Sequence, residues 1–209
     1  MRRGSRKTPR EPPAWRISRV SSTHPSLQPL APARKKLTKE TIRRVGRRGD
    51  KRGLLELLLN EDVLASAKLR SSVLFQLARL SDPELTMALV RVAKSDPDRG
   101  VRCTAFYGLR LLGDRSSVAF LTEALHHEDD SSILLHAVAA LAKSRANEAV
   151  HPLIEALQHR RLSVRSSAAR GLAEIGDRSA IAPIEAAIRS TWRPFHRLYL
   201  KQKLTELRH

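Results

Sequence analysis

The chain has 209 residues, with 39 Lys/Arg against 21 Asp/Glu for a net charge of +18, only 4% aromatic residues, and a single cysteine, Cys103. One cysteine excludes an intramolecular disulfide and a cysteine-based zinc site, and no apolar run approaches the ~18 residues of a membrane span. A chain rich in Ala, Leu, Arg and Ser suits closely packed helices better than a sheet sandwich, which draws on Val, Ile, Thr and aromatics.

Residues 1–36 come first and carry ten Lys/Arg against Glu11 alone, a charge of +9. Pro9, Pro12, Pro13, Pro25, Pro29 and Pro32 break any regular element, and no apolar period of 3.6 or 2 runs through the segment. Such a stretch cannot bury enough surface to offset chain entropy, so a disordered, Pro-rich basic tail is expected. Trp15 is its one large apolar side chain, either a docking anchor or a solvent-exposed residue. No 7–15-residue apolar stretch follows the basic start, so a secretory signal is not expected and a cytoplasmic location is. The segment shares Arg-richness with organellar transit peptides, but its prolines oppose the amphipathic helix those form.

From residue 37 a repeat sets the fold. "VRCTAFYGLRLLGDRSSVAFLTEAL" from Val101 aligns with "VRSSAARGLAEIGDRSAIAPIEAAI" from Val164, and the segments from Leu69 and Ile133 keep the same apolar positions. Units therefore open near 37, 69, 101, 133 and 164, with a half unit from 195 that begins on Phe195. Within a unit, Val101, Ala105, Leu109 and Leu112, matched by Val164, Ala168, Leu172 and Ile175, recur at helical spacing. A second helix follows through Val118, Leu121 and Leu125, matched by Val150, Leu153 and Leu157 and by Ile181, Ile184 and Ile188. Gly113 and Gly176 can take the left-handed conformation that ends a helix, and Asp82, Asp114 and Asp177 are placed to cap what comes next. Each helix–turn–helix unit has too few apolar residues to fold alone, so the units must stack around a shared core.

The pattern resembles the short HEAT-like repeat of phycobilisome lyases, "VRxxAAxALGxIGD", over residues 37–209. The resemblance implies an all-α fold: a right-handed α-solenoid, or superhelix, of about five to six armadillo-like helix pairs behind the N-terminal tail. It also implies that the helix opening with "VR" lines the concave face. Arg70, Arg102 and Arg165 fall on the repeated arginine, with Leu134 interrupting the series. A structural role is expected for them, pairing with loop acids such as Asp96, Asp98, Asp129 or Asp130.

A helical wheel turns the second, sixth and tenth residues after each opening position away from the core. These include Cys103, Phe75, Tyr107, Arg170, Arg79 and Lys143, with Arg110 close by. Exposed aromatics beside arginines fit a groove that holds a protein segment, so Phe75, Arg79, Tyr107, Arg110, Lys143 and Arg170 are the candidate protein-binding residues. The alternative for Phe75 and Tyr107 is packing against the neighbouring unit.

Catalytic and metal signals are sparse. The HEAT-like family of deoxyhypusine hydroxylase holds iron through repeated His-Glu pairs on inner helices. Here the one such pair, His127-Glu128, falls in a loop, and His136 is followed by Ala137. The run His126–Asp130 reads as a solvated linker. His151 and Glu155 share a helix face but lack a partner pair. No catalytic residue, metal or cofactor is assigned.

Charge is concentrated at the ends: +5 over residues 37–53, −1 over 54–188, and +5 over 189–209. Lys35, Lys36, Lys39, Arg43, Arg44, Arg47, Arg48, Lys51 and Arg52 form a stretch able to neutralise phosphates without reading bases, or simply to keep an end helix soluble. The expected function is a non-enzymatic scaffold or adaptor, a monomer binding an unidentified protein or peptide on its concave face. The alternatives are non-specific nucleic-acid binding through the basic N-terminal segment and, behind it, a lyase-like assistant in cofactor attachment. No membrane insertion is expected.

Overall fold

A computed structural model of the chain describes residues 37–209. The disordered segment expected over 1–36, with Trp15, Lys35 and Lys36, lies outside the described residues. Among the described residues there are twelve α-helices and no strands.

A three-helix first unit, four helix pairs and a closing helix follow in chain order. The first unit is α1 (Lys39–Arg47), α2 (Lys51–Leu57) and a short α3 (Glu61–Ala65). Four regular units follow: α4 (Ala67–Arg79) with α5 (Thr86–Ser95), α6 (Arg99–Leu112) with α7 (Val118–His127), α8 (Ser131–Ser144) with α9 (Val150–Ala156), and α10 (Leu162–Ile175) with α11 (Ile181–Ser190). α12 (Pro194–Arg208) closes the stack. The first unit departs from the rest because Asn60 caps a new helix through the Asp62 N–H at 2.9 Å, splitting its outer half in two.

Starts and stops follow local chemistry. Asp98 accepts from the Val101 N–H at 3.0 Å and Asp130 from the Ser132 N–H at 2.9 Å, each satisfying an orphan donor of a first turn. The expected capping aspartates Asp82, Asp114 and Asp177 each accept from the N–H two residues on, opening a 3-10 turn that leads into the second helix. Gly113 and Gly176 end α6 and α10 at φ 62° and 81°. The equivalent positions in the other units are Gly49 at φ 69°, Ser81 at φ 52° and Arg145 at φ 47°, so the left-handed turn persists even where glycine does not.

Packing makes two rows. α1, α4, α6, α8, α10 and α12 pack each on the next. The second helices pack on this row but touch one another sparsely, so the tighter row lies on the inside of the curve. Small residues permit that close approach: a Cβ added to Gly171 on α10 would sit 2.6 Å from the Ala142 Cβ on α8. The inward positions behave as expected, with Val101, Ala105, Leu109, Val164, Ala168 and Leu172 fully buried. α8, sandwiched on both sides, buries Ile133, Leu134, Ala137, Val138, Ala140, Leu141 and Ala142. Leu134, where the other units carry the repeated arginine, is fully buried.

The last unit has a different register. Phe195, expected to open it on the core side, is 87% exposed. The buried positions of α12 are His196, Leu200, Leu204 and Leu207, so the repeat opens one residue later, on His196.

Candidate interaction face

The repeated arginines each find a different partner: Arg70 and Arg102 reach carbonyls of the preceding unit, while Arg165 bonds within its own. Arg70 and Asp96 form a buried bidentate pair, with Nε donating to Oδ2 at 2.7 Å and Nη2 to Oδ1 at 3.0 Å, while Nη1 donates to the Leu64 carbonyl at 2.7 Å. Arg102 donates instead to the Asp96 carbonyl at 3.1 Å, and Arg165 to the Thr191 hydroxyl at 2.6 Å. Only Arg70 therefore meets an expected loop acid. Asp129 and Asp130 are taken by Arg160 and Arg99, pairs that also bridge adjacent units, and Asp98 serves as a cap.

On the inner face the aromatic residues form a row. The Phe75 and Tyr107 rings stack with centroids 5.9 Å apart and planes 12° from parallel. The Tyr107 ring meets the His136 ring edge-on at 5.6 Å, and the Arg110 guanidinium lies 4.9 Å from the Tyr107 centroid. The two readings of Phe75 and Tyr107 thus combine, because each packs on its neighbour while Phe75 remains 40% exposed. Arg110 is attracted by the ring face. Burial, reinforced by the Arg110 charge, lowers the pKa of His136, so its imidazole is neutral near pH 7.

Beyond this row a groove of about 360 Å³ runs across α6, α8, α10 and α12, lined by Arg110, Leu135, His136, Ala139, Ser163, Ser166, Ser167, Arg170 and Tyr199. Of the six predicted residues, Tyr107 contacts both Phe75 and Arg110, and Arg110 and Arg170 share the groove. Lys143 does not belong to it. Its ammonium donates to the Leu111 carbonyl and its stem covers Gly113, so it closes the end of α6. Arg79 is exposed at the end of α4, outside the groove.

His136 and Tyr199 escaped the sequence reading. Each is the third residue after its opening position, once α12 is counted from His196. At roughly 100° per residue that position lies only about 20° from the tenth, so a wider wheel would include it.

Other features have smaller roles. Cys103 is half-buried, and desolvation pushes its thiol pKa up. His126 and His151 approach different oxygens of Glu155 at 3.5 and 3.4 Å, flanking that carboxylate rather than converging on one point. An apolar recess of about 320 Å³ lies between α2, α4 and α5, against Leu55, Leu58, Leu59, Leu74, Ala88 and Val92.

Part of the basic stretch of α1 and α2 is paired with acids. Glu40 pairs with Arg47 and, at 3.7 Å, with Arg43. Lys51 pairs with Asp82 at 2.5 Å and with Glu84, and Arg52 with Glu56 at 3.0 Å. Lys39, Arg44 and Arg48 are exposed and make no ion pair among the described residues.

A family model described as HEAT repeats matches residues 51–142 and 128–198. The chain belongs to the HEAT-repeat family. Among solved structures, an engineered protein is 20% identical to it, with a TM-score of 0.53 over 83% of this chain and 85% of that one. Human deoxyhypusine hydroxylase, in complex with glycerol, is 17% identical with a TM-score of 0.44, over 82% of this chain and 79% of that one. The engineered protein shares the fold, and likeness at this identity extends no further. No curated protein matches the sequence. The HEAT-repeat stack thus supplies the frame that lines up Phe75, Tyr107 and His136, one from each of three consecutive units.

Proposed function

We propose that the protein is a non-enzymatic, monomeric and cytoplasmic scaffold or adaptor whose inner helices hold a segment of another protein. The observation that carries this reading is the Phe75–Tyr107 stack, capped by Arg110 and open to solvent on the inner face. Aromatic and arginine side chains with part of their surface free are the residues most often found as binding hot spots. HEAT repeats typically mediate protein interactions, which favours the same conclusion without naming a partner. No helix among the described residues is long and apolar enough to cross a membrane. We read the subfamily as the phycobilisome-lyase type on the "VR…GD" spacing. Lyase-like assistance in cofactor attachment has only that spacing behind it.

The test is affinity capture at moderate salt with the full chain and with Tyr107→Ala/Arg170→Ala. Specific partners should be retained by the former and reduced at least about tenfold by the latter, the scale of losing one hot spot, at unchanged helicity. Identical partner sets would rule out the inner face. The second reading, nucleic-acid binding, is favoured by Lys39, Arg44 and Arg48, exposed cations with no ion pair among the described residues.

A further inference from the structure

Resting on the inner-face reading above, we infer that the segment held there is acidic: an extended peptide in which Asp or Glu side chains alternate with aromatic or aliphatic ones. The groove across α6, α8, α10 and α12 presents guanidiniums from two different units, Arg110 and Arg170, and no carboxylate lines it. Arg110 makes no ion pair among the described residues and is held in place by the Tyr107 ring. Arg170 has one acid near it, Glu174, at 3.8 Å with both side chains half exposed, a pair weak enough for a ligand carboxylate to displace. Its Nη2 also lies 3.5 Å from the Ser167 hydroxyl, the limit of a hydrogen bond.

The other polar walls are neutral. Ser163 is exposed, Ser166 is shared with His196 at 3.1 Å, and His136 is held uncharged by burial and by Arg110. Leu135, Ala139 and the Tyr199 ring supply apolar surface in the same groove. Two guanidiniums from different units on one partly apolar groove match carboxylates spaced along an extended strand, because a guanidinium binds a carboxylate through two parallel N–H donors. A neutral or basic segment would leave both guanidiniums without a counter-charge. The inner face is therefore selective by charge although the body of the protein is close to neutral.

The experiment is a random-peptide display selection on the intact full chain, followed by fluorescence anisotropy of recovered peptides. Peptides enriched in Asp and Glu beside aromatic or aliphatic residues are expected. Their affinity should fall with salt and drop at least about tenfold in Arg110→Gln/Arg170→Gln at unchanged helicity. The double variant separates the groove from the basic N-terminal segment, which both proteins retain. Recovery of neutral or basic peptides, or of acidic peptides bound equally by the variant, overturns the charge selection. In the first case binding that Tyr107→Ala abolishes would leave the scaffold reading standing. Recovery of no peptide removes both.

Discussion

At the residue scale, one turn recurs five times with different chemistry, on Gly49 in the first unit and on four other residues after it. Gly113 and Gly176 occupy the left-handed turn, while Ser81 and Arg145 accept the same conformation with a Cβ. A Cβ there costs about 1–2 kcal/mol from its clash with the carbonyl, less the entropy glycine loses on folding. Space then distinguishes the two glycines. A Cβ at Gly176 meets nothing within 4 Å, whereas one at Gly113 comes within 2.6 Å of the Lys143 Cγ. Gly176→Ala should therefore cost roughly 1 kcal/mol in urea unfolding, the backbone cost alone. Gly113→Ala should cost more, because the displaced Lys143 also loses the Leu111 carbonyl. Equal losses for the two variants, in the presence and absence of Lys143→Ala, would contradict the steric argument.

At the element scale, α12 attaches through a titratable seam. His196 is buried against α10, its Nδ1 shared with Ser166 and its Nε2 without a hydrogen-bond partner among the described residues. Burial lowers its pKa, with a further push from Arg165, and His136 and His159 are lowered first by burial as well. A lowered histidine pKa means that folding favours the neutral ring. The stability it contributes is complete above the unfolded value near 6.5 and is lost as pH falls from there toward the folded values. Melting temperature should drop between pH 7.5 and pH 5, before the carboxylates lowered by caps and pairs, Asp82, Asp114 and Asp177, begin to titrate. His196→Asn should flatten part of that slope. A melting temperature flat across the window counts against buried neutral histidines at the seam.

At the scale of the whole molecule, charge and groove are separated. α1 and α2 stand at one end of the inner row and α12 at the other, five helix steps apart, or about 40–50 Å at ordinary packing distances. The two basic segments among the described residues therefore do not merge into one patch, which weakens a nucleic-acid cradle spanning both. What is left to that reading is the N-terminal end. If Lys39, Arg44 and Arg48 each neutralise a phosphate, random duplex DNA should bind the full chain with a log–log salt slope about three units steeper than it binds Lys39→Gln/Arg44→Gln/Arg48→Gln. Identical slopes would assign those residues to solubility instead, and no salt-dependent binding at all would end the reading.

The amino-acid sequence by itself determined the repeat, the alternation of inner and outer helices, and the glycine and aspartate punctuation between them. These depend on local spacing and capping, which act within one unit. It also placed Phe75, Tyr107, Arg110 and Arg170 on one face, since helical periodicity is enough for that. Only the tertiary structure decided which of those residues act together. Lys143 left the groove because the carbonyl it satisfies belongs to the preceding unit, 32 residues away in sequence. His136 and Tyr199 joined the inner face because neighbouring helices bring residues from separate units side by side. The register of α12 shifted to His196 because burial is set by where α10 and α11 lie against it, and a count of 31 residues carries no information about that contact. The same holds for charge: the net value of +18 is a property of the sequence, while the pairing of Arg43, Arg47, Lys51 and Arg52 with nearby acids is a property of the fold.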